Sequence, residues 1–185
     1  MKVYIASDSH FNHADIISYC GRPKNHEELI FKGFLKIKPE DCLVHLGDVC
    51  LGKEAEVHLK YIQSLPCRKI LVTGNHDSKT WSWYMEHGWQ FVCDSFRLKY
   101  CGKIIMFSHT PQPWDGIWEI NVHGHLHNLG HRDKEFKELK RWHRLYSPEL
   151  MAYRPIELSK FIQRRQTPNP TPEPKCGFTS RKTDC

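Results

Sequence analysis

The 185-residue chain predicts an α/β protein, parallel-stranded in its first half and carrying a second, hairpin-bearing layer after it. Two observations predict this. Through residue 77, short apolar runs alternate with segments of helical periodicity, in the order strand, helix, strand, helix, strand. From residue 90 the apolar runs stand close together, with Cys101-Gly102 as a tight turn between two of them. A hydrophobic fraction of 39% over this length suffices for one domain with a sizeable core.

Lys2 to Ala6 is the first strand, delivering Ser7-Asp8-Ser9-His10-Phe11-Asn12-His13 at its C-terminal end. In extended chain, residues two apart point the same way, so Asp8 and His10 are expected to reach one point from this strand. A helix from near Ala14 uses Ile16, Ile17, Tyr19 and Cys20 as its apolar content, and Gly21-Arg22-Pro23 ends it. His26 to Ile37 places Ile30, Phe34 and Ile37 at helical spacing, and Pro39-Glu40-Asp41 is a turn. Cys42 to Leu46 reads as a buried strand with Gly47-Asp48 at its tip. Lys53 to Leu65 is expected as a long helix with Ala55, Leu59, Ile62 and Leu65 on one face. Arg68 to Thr73 is the third strand and runs into Gly74-Asn75-His76-Asp77.

After a helix from Lys79 to His87, the runs Gln90–Cys93, Phe96–Tyr100 and Lys103–Phe107 are expected as strands of an antiparallel-rich layer. The last of these ends at Ser108-His109. A strand over Ile117–Val122 ends at His123-Gly124-His125-Leu126-His127. Polar material fills Asn128 to Arg144. A strand near Leu150–Ile156 and a helix over Leu158–Arg165 complete a domain of residues 1–165. The Pro-rich stretch from Gln166 predicts an extended tail, residues 166–185, in which Cys176 and Cys185 receive no role.

Composition narrows the class. No apolar run approaches the ~20 residues of a bilayer span. The apolar patch near Met1 is too short for a signal peptide, so a cytoplasmic chain without membrane contact is expected. None of the eight cysteines forms a CxxC pair, which argues against a zinc knot and makes most of them small buried hydrophobes. Residues 1–130 hold 14 Lys+Arg against 14 Asp+Glu, whereas residues 131–185 hold 13 against 7. The excess of +6 therefore lies in the C-terminal third, suited to steering anionic substrates or nucleic acid, or simply to a solvated face.

The thirteen histidines are the compositional anomaly. Five ligand-rich stretches each stand at a predicted strand end: Asp8-Ser9-His10, Gly47-Asp48, Gly74-Asn75-His76-Asp77, Ser108-His109 and Gly124-His125-Leu126-His127. One such stretch would be an ordinary turn or a surface histidine. Five in one chain, supplying Asp, Asn and His but no thiolate, point to a pair of divalent ions. Imidazole with carboxylate and amide oxygens suits Mn, Fe or Zn, Mn favoured. Two such ions can clamp a phosphoryl group for in-line attack.

The ordered set D-x-H, GD, GNHD, a strand ending in His, and GHxH resembles the calcineurin-like metallophosphoesterase superfamily over about residues 1–160. The run Asp-x-His-Phe-x-His with Arg22-Pro23 resembles its small single-domain bacterial and phage branch. The resemblance implies a two-sheet αββα sandwich. It implies Asp8, His10 and His127 on one metal, Asn75, His109 and His125 on the other, Asp48 between them, and a bridging hydroxide as nucleophile. It gives His76 to the phosphate and the leaving oxygen, and Asp77 to the orientation of the His76 ring. The Gly-Asp-x-x-Asp-Arg-Gly run of protein serine/threonine phosphatases is absent, because Val49-Cys50-Leu51-Gly52 follows Asp48.

Other residues near these blocks carry two readings each. Asn12 and His13 face the substrate, or Asn12 caps the first helix. Trp114, in the loop after His109, stacks on a base or packs over the entrance. His123 and His131 border the last block and are read as structural. The function implied is a two-metal phosphodiesterase on a nucleotide-type substrate. The alternatives are a nuclease or phosphomonoesterase on the same site, and a non-catalytic scaffold that binds proteins. The expected partner is a small phosphoester or nucleotide, with nucleic acid as a second possibility.

Overall fold

The computed structural model describes residues 1–127 and 133–164. The tail, its two cysteines and His131 lie outside the described residues. Two mixed sheets form the body. In the first, β1 (Val3–Ala6), β2 (Cys42–His45), β3 (Arg68–Val72) and β4 (Phe91–Cys93) run parallel, and β9 (Ile156–Glu157) pairs antiparallel with β1. The strand order is β4-β3-β2-β1-β9. The second sheet has the order β5-β6-β7-β8, from β5 (Ser95–Tyr100), β6 (Lys103–Ser108), β7 (Ile120–His123) and β8 (His143–Leu145).

The α/β class and the two sheets agree with expectation, but the division between the layers does not. The run after residue 90 closes the first sheet as β4, parallel to β3, rather than opening the second. In the second sheet only β5–β6 is antiparallel, while β6–β7 and β7–β8 are parallel. Close spacing of apolar runs thus identified one hairpin correctly and generalised it too far. The expected strand near 150–156 shrinks to Ile156–Glu157, because residues 148–153 turn back on themselves through Tyr153 N–H donating to the Pro148 carbonyl. The polar stretch before residue 144 contains a helix, α5 (Asp133–Glu138), as well as β8.

The helices between the strands follow their apolar spacing, with one exception. The first two, α1 (Ile16–Cys20) and α2 (His26–Phe34), bury Ile16, Cys20, Ile30 and Phe34, and Gly21 ends α1 in the left-handed conformation that Gly adopts freely. In the expected helix over 53–65, α3 (Glu54–Val57) is α-helical and His58–Gln63 is π-helical. The buried face is Val57, His58, Tyr61, Ile62 and Leu65, so of the four residues expected on it Ile62 and Leu65 are buried, while Ala55 and Leu59 are exposed, Leu59 at 65%. The fourth, α4 (Trp81–Glu86), is N-capped by Thr80, whose side chain accepts from Trp83 N–H, and α6 (Leu158–Gln163) packs on β1.

A single apolar core joins the two sheets, taking Ile5, Leu43 and Leu71 from the first and Ile105, Phe107 and Val122 from the second. β2 is buried along its whole length, as suits a central parallel strand covered on both faces. Five of the six described cysteines are buried, and Cys101, in the hairpin turn, is exposed. With the sheets joined this way, the C-terminal ends of β1, β2, β3, β6 and β7 are the strand ends that carry the ligand-rich stretches.

Candidate metal centre

The tips are held by backbone before any side chain is considered. Beyond the β1–β2 ladder, Asp8 N–H donates to the Gly47 carbonyl at 2.9 Å, His10 N–H to Asp48 O at 3.0 Å and Phe11 N–H to Val49 O at 3.0 Å. Asp8 and His10 are not in extended chain, contrary to the sequence expectation. β1 ends at Ala6, and the two residues converge because both adopt left-handed backbone, φ 52° and 49°. Asp48, His125 and His127 share this conformation, with φ of 56°, 71° and 52°. Such backbone is uncommon for residues bearing a Cβ, and its concentration here marks the place where function dictates the local fold.

Two groups of side chains result. Asp8, His10 and His127 bring ligand atoms within 4.8 Å of one another, and so do Asp48, His109 and His125. Asn75 joins the second group through Oδ1, 3.1 Å from His109 Nε2, which also lies 3.0 Å from His125 Nδ1. Asp48 stands between the groups: its Oδ2 is 3.6 Å from His10 Nε2 and 3.3 Å from His109 Nε2. Its Oδ1 accepts the His76 backbone N–H at 2.9 Å, which turns Oδ2 toward both histidines. All seven predicted ligands therefore meet.

The donors fit divalent ions. His10 is 2% exposed, yet neither of its ring nitrogens has a hydrogen-bond partner. A buried polar atom left unpaired is costly, and an ion between His10, Asp8 and His127 removes that cost. Lone pairs from Asn75, His109, His125 and Asp48 converge in the same way on the second position. With nitrogen and oxygen donors and no thiolate, the set is suited to divalent metal ions.

Glycine at the tips has a steric reason. A Cβ on Gly74 would overlap Asp48 Oδ1, and one on Gly124 would overlap Ser7 Oγ and Asp8 Oδ2. The glycines let each backbone pass against a ligand carboxylate from a neighbouring tip. The amide of His125 then donates to both Asp8 oxygens, at 3.2 and 3.0 Å.

Asp77 has a different place from the one the resemblance implies. Its Oδ2 accepts from Asp48 N–H and Gly74 N–H, both at 2.8 Å, and its Oδ1 from Val49 N–H at 3.1 Å. The carboxylate is thus taken up in clamping the β2 and β3 tips together, and the role of orienting His76 falls away. Burial pushes the Asp77 carboxyl up from the usual range, opposed by these three amides.

The charges are mutually dependent. Burial raises Asp8 and would raise Asp48, but hydrogen bonding from His109 and the charges of His109 and His10 hold Asp48 below the usual carboxylate range. Burial pulls His109 down, yet its bond to Asp48 and the nearby Asp8 charge push it up to about 9. His127 is likewise pulled down by burial and pushed up to about 10 by Cys20, Glu149 and Asp8. Metal ligation requires these rings to give up protons, so ion binding and proton release are linked.

His76 belongs to neither ligand group. Its ring centroid lies 5.3 Å from that of His10 and 6.2 Å from that of His13, placing it beside the first group. His13 Nδ1 accepts from Ile16 N–H at 3.2 Å, and burial lowers this histidine below its usual range. Asn12 does not cap α1, whose N-cap position is Asp15; it is exposed, and its Nδ2 donates to the Leu51 carbonyl at 2.9 Å. Trp114 is 58% exposed, donates from Nε1 to the Trp118 carbonyl and pairs with Trp142 at 6.0 Å between rings. Sequence reasoning missed Glu149 and gave Arg22 no site role, although both wall the His127 ring. It also missed Thr73, Asp94 and Thr110, which with Asn75 and His109 line an open cavity of about 330 Å³.

This fold and these two groups of candidate ligands are those of a metal-dependent phosphoesterase. A family model described as calcineurin-like phosphoesterase matches residues 1–167, and the chain belongs to that family. An uncharacterized protein of Methanocaldococcus jannaschii is 30% identical over 175 residues, covering 88% of this chain and 90% of its own. The crystal structure of a protein of unknown function from Aquifex aeolicus, AQ665, superposes with a TM-score of 0.66 at 26% identity, covering 86% of this chain and 96% of that one. The structure of a novel archaeal phosphodiesterase superposes with a TM-score of 0.44 at 18% identity, over 69% of this chain and 74% of its own. Among the described residues, no helix is long and apolar enough to cross a membrane.

Proposed function

We propose that the protein is a phosphodiesterase acting on a nucleotide-type substrate, with His76 as the proton donor. The observation that carries this reading is the position of His76, beside His10 and outside both ligand groups, while Asp48 stands between those groups. Two divalent ions bound there, Mn favoured, supply Lewis acidity and a nucleophile at neutral pH. Asp8, His10 and His127 would hold one and Asn75, His109 and His125 the other, with Asp48 touching both. The chain's own contribution is orientation and a proton. Backbone ties at the five tips fix the ligands, and the His76 imidazole delivers a proton to the departing oxygen, work suited to a histidine near neutral pH.

The nucleotide reading rests on the cavity beside Asn75 and His109. Its walls carry the hydroxyls of Thr73, Ser95, Ser108 and Thr110, the Gln112 amide and the Asp94 carboxylate. Thr73 Oγ1 already donates to Asp94 Oδ1 at 2.7 Å, which aims an acceptor at the cavity edge. An acceptor close to a phosphoryl site suits the hydroxyls of a sugar and is unfavourable to a second phosphate. The expected location is the cytoplasm. Exposed Lys134, Lys137, Lys140 and Arg141, on and just after α5, favour a nuclease as the second reading.

The test is hydrolysis of bis(p-nitrophenyl) phosphate by Mn²⁺-loaded protein, followed by a panel of cyclic mononucleotides, cyclic dinucleotides, 2′,3′-cyclic ends, dinucleoside polyphosphates, nucleoside monophosphates and RNA. Turnover of small diesters in preference to monoesters supports the proposal. Monoester preference, or cleavage confined to RNA with a steep salt dependence, replaces it. Absence of any turnover with two ions verified bound favours the scaffold.

A further inference from the structure

We infer that Glu149, locked by Arg22 and Ser147, is a positioning residue: it fixes the His127 ring so that Nε2 faces the ion shared with Asp8 and His10. This rests on the reading of Asp8, His10 and His127 as ligands, and it adds a device that operates on one of the two ion positions.

The geometry is specific. His127 Nε2 lies 3.7 Å from Asp8 Oδ1, while its Nδ1 lies 3.4 Å from Glu149 Oε1 on the opposite edge of the ring. An imidazole that ligates through Nε2 must carry its proton on Nδ1, and a carboxylate acceptor is the usual way to hold it there. Glu149 is itself held at both carboxylate oxygens. Its Oε1 accepts from Arg22 Nε at 2.7 Å, and Ser147 Oγ donates to its Oε2 at 2.5 Å. The Arg22 and Glu149 side chains are 0% and 3% exposed. Burial alone would push the Glu149 carboxyl up, but its bonds to His127 and the Arg22 charge hold it at about 2.

Arg22 extends the device to the other two ligands. Its Nη2 donates to the Asp8 carbonyl at 2.8 Å and its Nη1 to the Ser9 carbonyl at 2.9 Å. These are carbonyls of the left-handed turn that brings Asp8 and His10 together. One guanidinium therefore braces the strained turn and aims the carboxylate at His127. The rigid fork of Arg, with donors in fixed directions, makes that possible where Lys would not.

Cys20, His127 and Glu149 also bring ligand atoms within 4.8 Å of one another. That grouping is not a third ion site, because the Arg22 guanidinium already sits 2.7 Å from Glu149 Oε1 and 3.5 Å from His127 Nδ1. A fixed cation there repels another.

The experiment is Co²⁺ titration of metal-free protein, read by visible absorption and by ions bound per chain, together with thermal melting of the metal-free state. Wild type is expected to bind two Co²⁺. In Glu149→Gln one position is expected to weaken by about 10–100-fold while the other is unchanged, with a shifted absorption band and little change in metal-free melting. Ser147→Ala, a milder cut in the same chain of bonds, should weaken the same position by less, and it decides the matter if Glu149→Gln does not fold. Wild-type Co²⁺ affinity in both variants, or a lowered melting temperature alone, overturns the inference. If wild type and His127→Ala bind Co²⁺ alike, the ligand reading itself fails, a result distinct from failure at Glu149.

Discussion

The two ligand groups share Asp48 but differ in how they are enclosed. Asp8, His10 and His127 are 0%, 2% and 6% exposed and are backed by the buried Arg22–Glu149 pair. In the second group His109 is buried, but Asn75 is exposed and His125 half-buried, and the cavity opens beside them. His109 is held on its far side by a backbone atom, Nδ1 lying 2.6 Å from the Leu46 carbonyl. One ion position is thus an interior feature braced by charged side chains, and the other is a rim feature braced by backbone. The contrast is one of enclosure: the first group is shut into the interior, and the second borders the open cavity.

The largest effect is expected where the contrast vanishes. Asp48→Ala removes the carboxylate common to both groups, so both ions should be lost and turnover should fall well beyond the roughly 10³-fold that one electrostatic contact carries. Metal analysis alongside steady-state assay checks it. Retention of one tightly bound ion would show that the groups are more independent than their geometry indicates.

Next comes the histidine that belongs to neither group. His76→Ala should lower kcat by about 10²–10⁴-fold, the usual share of a proton donor, with both ions retained. Diesters with good leaving groups should be affected least, since they need protonation least. If ion content falls with the rate, His76 is a ligand and the division between ligation and proton transfer is wrong.

A smaller effect separates the rim from the interior. Asn75→Ala deletes one neutral oxygen from the second group and should weaken one ion by about tenfold, 1.4 kcal/mol, leaving the other at wild-type affinity. Stepwise Co²⁺ titration reads both positions at once, and equal weakening of the two would dissolve the contrast.

What could be read from the sequence follows the same line. The rim and interior ligands were legible because each follows a strand, and Gly at three tips marks backbone crossing close to a carboxylate. Parallel pairing of β1, β2 and β3 was legible from helices between apolar runs. The bracing was not. Glu149 sits in a Ser-Pro-Glu-Leu loop with no periodicity and 127 residues from Arg22, so nothing local announces the pair. The resemblance gives Asp77 to the His76 ring, whereas the turn at Gly74 sends its carboxylate to the backbone of the neighbouring tip. The π turn at His58–Gln63 escaped because helical periodicity presumes 3.6 residues per turn.

That π turn supplies the smallest prediction, and the one that guards the others against misreading. Loss of activity in acid would ordinarily be assigned to the ligand histidines. His58 offers a separate cause in the core. It is fully buried, its Nδ1 lies 2.8 Å from the Glu54 carbonyl, its Nε2 has no partner, and rings of Trp83, Tyr84 and Trp89 surround it at 5.1, 5.5 and 6.3 Å. Burial lowers its pKa to about 4, against 6.5 for a free histidine. Below pH 6.5 the unfolded chain therefore takes up a proton that the folded chain refuses. This contribution to stability is complete above that pH and is lost as pH falls toward 4, where the folded state is protonated too. Down to about pH 5.5 the loss is on the order of 1 kcal/mol. Urea unfolding of metal-free protein at several pH values should show a slope to which the buried His45 and His123 also contribute, and His58→Gln should reduce it by the share of one histidine while leaving the acid loss of bound Co²⁺ unchanged. An unchanged slope in that variant would assign the acid sensitivity to other buried histidines, His45 and His123 among them.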